Sequence, residues 1–170
     1  MKILAVIDMQ NDFIDGSLGT KEAENIVPAV AEKIKSFKNS GDEIVFTRDT
    51  HHENYLSTME GKKLPVVHCV KNTKGWEISD KLDTSDCTII DKPTFGSYDL
   101  AEFIAGNPQI DEVVLVGLCT DICVISNAML IKAKLPEIKI TVDSSCCAGV
   151  TPQSHENALS AMKMCHIDII

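Results

Sequence analysis

The sequence predicts an α/β protein, a three-layer sandwich in which helices cover both faces of a mostly parallel β-sheet. Two observations support this fold class. The candidate strands are short, continuous apolar runs such as KILAVI at 2–7, a pattern typical of strands that are buried on both faces. These runs alternate with segments whose apolar residues recur at helical spacing, and such alternation is typical of parallel sheets.

The elements follow in order along the chain. We expect strands at 2–7, 43–47, 87–91, 112–117 and 137–143, and a last one in the closing residues HIDII. We expect helices at 22–38, 98–105, 121–134 and 152–165, with Gly or Pro near several of their boundaries. The expected strand order is 3-2-1-4-5-6, a Rossmann-like sheet. The stretch 49–84 has weak periodicity, and a long irregular insertion of this kind is usually functional.

Composition restricts the class of partner. The chain has 170 residues, a length that suits one domain over 1–170. Its net charge of −9 disfavours nucleic acid or an anionic membrane as a partner. No apolar run reaches the roughly 20 residues of a membrane span, and the N-terminus does not resemble a secretion signal. We therefore expect a cytoplasmic protein.

Reactive side chains follow the candidate strands. Parallel sheets place their binding sites at the carboxyl ends of strands, so these residues should share one edge. They are Asp8 after the first strand, Asp49 and His51 after the second, Lys92 after the third, Cys119 and Cys123 after the fourth, and Asp143 to Cys147 after the fifth. The sequence therefore places an acid, an amine and a thiol together.

The segment GLCTDICV at 117–124 leads from a buried strand into a helix, with Cys123 near the first turn. Helix N-termini favour a thiolate, and a neighbouring Lys92 would lower the thiol pKa further. Asp8 could act as general base, which would complete the parts for acyl transfer through a thioester. The spacing alone also fits a buried structural Cys, with Asp8 in a turn and Lys92 in solvent.

Four motifs in order resemble the isochorismatase-like cysteine hydrolases, a family that includes nicotinamidases. They are AVIDMQNDF at 5–13, Asp-x-His after the second strand, Lys after the third and GLCTDICV after the fourth. The resemblance implies a nucleophile at Cys123, a proton-transferring Asp8 and an electrostatic partner at Lys92. It also implies a cis peptide at Leu118–Cys119, with the N–H groups of Cys119 and Cys123 forming an oxyanion hole.

The stretch 49–84 also contains metal-ligand types. Imidazole and carboxylate together suit Zn²⁺, Mn²⁺ or Fe²⁺, although His residues in a polar loop often only face solvent. The family resemblance implies a divalent-metal site at Asp49, His51, Glu60 and His68. We expect zinc, with manganese or iron as alternatives, and no organic cofactor. His52 is expected to lie outside the site.

The expected substrate is a small amide, with nicotinamide first and a ureide or carbamoyl compound as alternative. Phe13 and Leu64 are the candidate substrate-binding residues, Leu64 standing where nicotinamidases usually carry an aromatic residue; Trp76 could line the pocket or cover the core. Isochorismate hydrolysis needs no thiol and is a weaker hypothesis. A non-enzymatic binding module and a redox sensor using Cys119 and Cys123 also remain open. The family resemblance implies a homo-oligomer.

Overall fold

A single six-stranded sheet organises the chain, and a computed structural model describes it over residues 1–170. The strands are β1 (Lys2–Ile7), β2 (Glu43–Asp49), β3 (Thr88–Lys92), β4 (Glu112–Leu118), β5 (Lys139–Ala148) and β6 (Asp168–Ile169). All neighbours pair in parallel, in the order β3-β2-β1-β4-β5-β6. The predicted fold class and strand order are confirmed.

Helices cover both faces of the sheet. They are α1 (Asn11–Ile14), α2 (Lys21–Ser40), α3 (Met59–Lys63), α4 (Tyr98–Ala105), α5 (Ile125–Lys134) and α6 (Pro152–Met164). Side chains of β1 alternate between two hydrophobic cores, because successive residues of a strand point to opposite faces. Leu4 and Val6 pack on the side of α2, and Ile3, Ala5 and Ile7 pack on the side of α4, α5 and α6. No helix combines the length and the apolar character needed to cross a membrane.

Two predicted boundaries need correction. The fifth strand does not end at 143: it continues to Ala148 through an irregularity in which Leu115 and Gly117 of β4 pair with Val142 and Cys147 of β5. The residues from Asp143 to Cys147 therefore lie within the strand. Asp143 forms an ion pair with Lys33 of α2, at 2.5 Å. The predicted helix 121–134 divides into a π-helical turn, Thr120–Val124, and α5.

The irregular stretch between β2 and β3 is fastened to the end of β1. Its own regular structure is a 3₁₀ turn at Tyr55–Ser57 and the short helix α3. The N–H of Asn11 donates to the carbonyl of Glu77 at 3.0 Å, and the N–H of Asp12 donates to that of Gly75 at 2.9 Å. The carboxylate of Asp12 accepts a third bond from the N–H of Cys69, at 2.8 Å. These bonds fix the residues around His68 relative to β1.

Gly117 allows the ends of β1 and β4 to approach each other. It pairs with Ile7 in the sheet, and its φ of +116° is a conformation that side chains rarely adopt. A Cβ at this position would also overlap the carbonyl oxygen of Ile7. This close approach brings the residues after β4 next to Asp8.

We expect the change Gly117→Ala to destabilise the protein by about 2 kcal/mol or more, because steric overlap is added to backbone strain. The matched control is Gly41→Ala. Gly41 ends α2 with a φ of +70° and has no atom within 4 Å of an added Cβ. The control variant should therefore lose only the stability that a left-handed alanine costs, about 1–2 kcal/mol. Urea unfolding of both variants tests this, and equal losses of stability would contradict it.

Candidate active site

An acid, an amine and a thiol meet at the carboxyl ends of β1, β3 and β4. Lys92 Nζ lies 2.6 Å from Asp8 Oδ2 and 3.5 Å from Cys123 Sγ. All three side chains are buried, and those of Asp8 and Lys92 are 0% exposed. The lysine also donates to the carbonyl of Thr94, at 3.0 Å. The structure thus brings together the three residues predicted as catalytic.

The conformation of Asp8 is fixed by its neighbours. It has a φ of +47°, a left-handed conformation that Asp adopts more readily than most residues and that is often found at functional sites. The hydroxyl of Thr47 in β2 donates to Asp8 Oδ1 at 2.6 Å and accepts from the backbone N–H of Asp8 at 3.2 Å. Thr47 therefore orients the carboxylate while Lys92 holds its other oxygen.

Burial governs the protonation state of the thiol. Burial and the negative charge of Asp8 raise the pKa of Cys123 well above its ordinary value, and the cation of Lys92 opposes this without overcoming it. This direction is opposite to the lowered thiol pKa that the sequence predicts for Cys123. Burial also raises the pKa of Asp8, which Lys92 partly counters. Burial lowers the pKa of Lys92, but the neighbouring negative groups, Asp8 foremost and Asp49 after it, together raise it above its ordinary value.

Cys123 occupies a widened turn at the start of α5. The N–H of Val124 donates to the carbonyl of Cys119, five residues back, at 3.0 Å, which is the spacing of a π turn. The peptide bond between Leu118 and Cys119 is cis. The thiol of Cys119 lines the same cavity as Cys123, and burial raises its pKa to about 12.

Four potential metal ligands form a second cluster beside the first. One ligand atom from each of Asp49, His51, Glu60 and His68 lies within 4.8 Å of the others. His51 Nε2 is 2.9 Å from Asp49 Oδ2 and 3.5 Å from Glu60 Oε1. His68 Nε2 is 3.6 Å from Asp49 Oδ2 and 3.7 Å from Glu60 Oε1. The structure thus brings together all four residues predicted as ligands.

The orientation of these side chains is set by residues behind them. His68 Nδ1 donates to the carbonyl of Val66, at 2.8 Å, so Nε2 carries the free lone pair that faces the cluster. The ring of Tyr55 packs 4.6 Å from that of His51 and 4.9 Å from that of His68. Gln10 holds the backbone of Asp49 by donating to its carbonyl at 2.9 Å and accepting from its N–H at 2.7 Å.

The cluster fits a divalent cation. Four ligands at about 2.0–2.2 Å from one ion lie roughly 3–4 Å from each other, which agrees with the separations among these atoms. His51 Nε2 is buried and makes no hydrogen bond with acceptable geometry. Burial and the charge of Asp49 raise the pKa of Glu60, as expected where two carboxylates share a site without a cation. These features match a site built for a metal ion.

A largely apolar cavity of about 300 Å³ opens over both clusters. Ten of its fifteen lining residues are hydrophobic, so it suits a ligand with an apolar body. Cys123 and the metal-cluster residues Asp49, Glu60 and His68 reach its wall. Phe13 and Leu64, predicted as substrate-binding residues, both line it. The cavity therefore joins the thiol to the metal cluster.

Two other sequence candidates lie elsewhere. The indole of Trp76 is buried in the core on the α2 side, where Arg48 stacks on it at 3.7 Å and Thr50 accepts its N–H at 2.8 Å. Trp76 therefore covers the core and does not line the cavity. His52 is exposed, away from the cluster, as expected.

The sequence analysis missed several residues that build the site. They are Thr47 on Asp8, Gln10 on Asp49, Tyr55 between the two histidines, and Phe95, Gly149 and Val150 on the cavity wall. Thr47 could have been predicted from the sequence, because it is a polar residue at the end of an otherwise apolar strand segment. No local pattern predicts Val150 as a cavity residue, because its position depends on the unexpected length of β5.

Comparison with known proteins agrees with this geometry. An isochorismatase domain matches residues 2–170. The chain belongs to the isochorismatase family. A nicotinamidase of Saccharomyces cerevisiae is 29% identical over 175 residues, covering 76% of this chain and 80% of the relative. This confirms the family assignment made from the four motifs.

Solved structures extend the comparison. A pyrazinamidase of Pyrococcus horikoshii in complex with zinc superposes with a TM-score of 0.88 at 34% identity, covering 99% of this chain and 98% of that one. An N-carbamoylsarcosine amidase from Thermoplasma acidophilum superposes with a TM-score of 0.83 at 26% identity, covering 99% of this chain and 94% of that one. Together these relatives support the prediction that the chain is a hydrolase of amide C–N bonds.

We expect His51→Ala to lose the bound metal, because the change removes a ligand from a four-residue cluster. Wild-type protein dialysed against zinc should retain about one equivalent. Free zinc at about 100 times its Kd should raise the free energy of unfolding by about 2.7 kcal/mol. The matched control His52→Ala removes an exposed imidazole one residue away and should retain both effects. Elemental analysis and thermal unfolding are the measurements, and equal zinc in both variants would contradict the assignment.

Proposed function

We propose that this protein is a cysteine amidohydrolase that converts nicotinamide to nicotinate and ammonia through a thioester on Cys123. The observation that carries the proposal is the buried contact of Lys92 with both Asp8 and Cys123, at 2.6 Å and 3.5 Å, beneath a cavity that also reaches a metal-type cluster. A structural role for a buried Cys does not require an acid and an amine to be buried with it.

The first half of the reaction follows from the protonation states. Asp8 takes the proton of the Cys123 thiol, and Sγ attacks the carbonyl carbon of the amide. The backbone N–H groups of Cys119 and Cys123 would stabilise the resulting oxyanion, aided by the cation of Lys92. Asp8 then gives the proton to the departing nitrogen. The C–N bond breaks, ammonia leaves, and the acyl group remains on Sγ.

The second half restores the enzyme. Asp8 accepts a proton from a water molecule while the oxygen of that water attacks the thioester carbonyl carbon. The C–S bond breaks, the acid product leaves, and the proton returns to Sγ. Asp8 thus serves as base and acid in turn. Thr47 and Lys92 hold one carboxylate oxygen each, so the carboxylate stays oriented through both halves.

Asp49, His51, Glu60 and His68 would hold a divalent metal ion, with zinc as our first choice. When bound, the ion would supply a Lewis-acid contact for a ring nitrogen of the substrate and so help to orient it. Phe13 and Leu64 would pack against the ring, since both lie on the cavity wall. The remaining lining is mainly aliphatic.

A second candidate is hydrolysis of another small amide or carbamoyl compound. The structural likeness to an N-carbamoylsarcosine amidase supports it, and Leu64 leaves the cavity without the aromatic residue that nicotinamidases usually carry there. Ammonia release from nicotinamide, pyrazinamide and N-carbamoyl compounds, compared as kcat/KM, separates the two candidates. A preference for carbamoyl substrates would favour the second.

We expect Cys123→Ala to lower ammonia release from nicotinamide by about 10⁴-fold or more, because it removes the nucleophile. Unfolding by urea should show that the variant remains folded, since only a sulfur atom is lost. Cys165→Ala, which changes an exposed thiol, is the matched control and should keep full activity. Substantial activity in Cys123→Ala would overturn the thioester mechanism.

We expect Lys92→Gln to move the acid limb of the kcat/KM profile to higher pH. Asp8 acts as a base only when ionised, so activity falls as the pH drops through its pKa. Burial raises the pKa of Asp8 and Lys92 lowers it, so removing the cation raises that pKa further. The pH–rate profile, normalised to the folded fraction, is the measurement. An unchanged acid limb would show that Asp8 is not the base.

A further inference from the structure

The side chain of Asn127 is completely buried in α5 and uses all of its donors. Its Nδ2 donates to the carbonyl of Cys123 at 2.8 Å and to that of Phe95 at 3.2 Å. Its Oδ1 accepts from the backbone N–H of Ser97 at 2.9 Å. Because a buried amide must find partners, these three bonds explain why a residue that disfavours helix interiors is accommodated here.

These bonds join two segments that each carry part of the site. Cys123 belongs to the π-helical turn, one helical turn before Asn127 and on the same face. Phe95 and Ser97 belong to the loop that follows Lys92, and Phe95 forms part of the cavity wall. Lys92 is tied to this loop as well, through its bond to the carbonyl of Thr94. A single amide therefore spans the nucleophile turn and the lysine loop.

Phe95 needs such an anchor. Its side chain is 41% exposed, so packing alone does not hold it over the cavity. The backbone bonds at Phe95 and Ser97 fix the loop on either side of Gly96, and a Cβ on Gly96 would meet the side chain of Leu130 in α5 at 2.6 Å. The loop thus lies close against α5 at the point where Asn127 holds it.

We propose that Asn127 is a positioning residue with two separable effects on catalysis. Its bond to the Cys123 carbonyl holds the thiol in place against Lys92 and Asp8. Its bonds to Phe95 and Ser97 hold Phe95 as a wall for the substrate. The first effect acts on kcat and the second on KM. This inference rests on the proposed amidase function, although Asn127 itself does not touch the substrate.

Two substitutions separate these effects. In Asn127→Thr, the hydroxyl can still donate to the carbonyl four residues back, but the bonds to the lysine loop are lost. We expect KM to rise about tenfold with kcat within about threefold of wild type. In Asn127→Asp, the acceptor for Ser97 remains and both donors are lost. We expect kcat to fall about tenfold or more, because a small displacement of a nucleophile is costly, and KM to rise as well, because the bond to the Phe95 carbonyl is also lost.

The control is Ser126→Ala, which removes a local bond of 2.6 Å from the serine hydroxyl to the carbonyl of Ile122 on the same helix. This bond does not reach the lysine loop, so both kinetic constants should stay near those of wild type. Urea unfolding gives the folded fraction of each variant. If the Thr and Asp variants changed kcat and KM alike, in proportion to lost stability, Asn127 would be a structural residue only.

The rate at which Cys123 is alkylated does not depend on amide hydrolysis. It therefore tests the positioning role of Asn127 separately from the proposed function. Iodoacetamide is small enough to reach Cys123 through the cavity that this residue lines, and peptide mass spectrometry would follow alkylation at that site among the seven cysteines. We expect Asn127→Asp to slow alkylation of Cys123 about tenfold and Asn127→Thr to leave it nearly unchanged. Wild-type protein that releases no ammonia from any amide would overturn the proposed function. Equal alkylation rates in the two variants would overturn the positioning role.

Discussion

The buried ion pair between Lys92 and Asp8 is the interaction on which the rest of the site depends. Removing two charges from water costs several kcal/mol for each ion, and only a close partner compensates for this. Here Nζ and Oδ2 are 2.6 Å apart with no exposure of either side chain. Each charge therefore stabilises the other, and the fold must hold the ends of β1 and β3 at a fixed separation.

Both members of this pair also affect the pKa of the Cys123 thiol, in opposite directions. Cys123 lies against Lys92 but within the field of Asp8, and burial favours its neutral form. Burial opposes ionisation of both the thiol and the carboxylate, and the charge of Lys92 favours the ionised form of each. Thr47 and Lys92 each contact one oxygen of the Asp8 carboxylate and so hold it in a fixed orientation.

The two clusters share a charged neighbour. Lys92 Nζ lies 3.5 Å from Asp49 Oδ1, while the other oxygen of Asp49 faces the two histidines. Burial tends to raise the pKa of Asp49, but the adjacent His51 and His68 and the charge of Lys92 outweigh it and lower the pKa. The thiol chemistry and the metal-type site are therefore joined through one carboxylate, which explains why both open into one cavity.

Sequence and structure differ in what they reveal about this protein. Apolar runs and helical spacing predicted the parallel sheet, because strands that are buried on both faces appear in the sequence as continuous apolar runs. The strand-end rule placed Asp8, Lys92 and Cys123 among a larger set of candidates, because parallel strands carry their sites at one edge. The order of the motifs then indicated the family, and the family resemblance selected these three residues and the four candidate metal ligands.

Other features have no local pattern. The extension of β5 to Ala148 depends on an irregular pairing with β4, and only that pairing places Val150 at the cavity. The raised pKa of Cys123 depends on burial by distant segments, whereas the helix start next to it in sequence favours a lowered pKa. Residue types and their order along the chain determined which groups take part, because these are local properties. Only the tertiary structure decided their protonation, their separations and the residues that hold them, because desolvation and long-range contacts arise when the segments pack together.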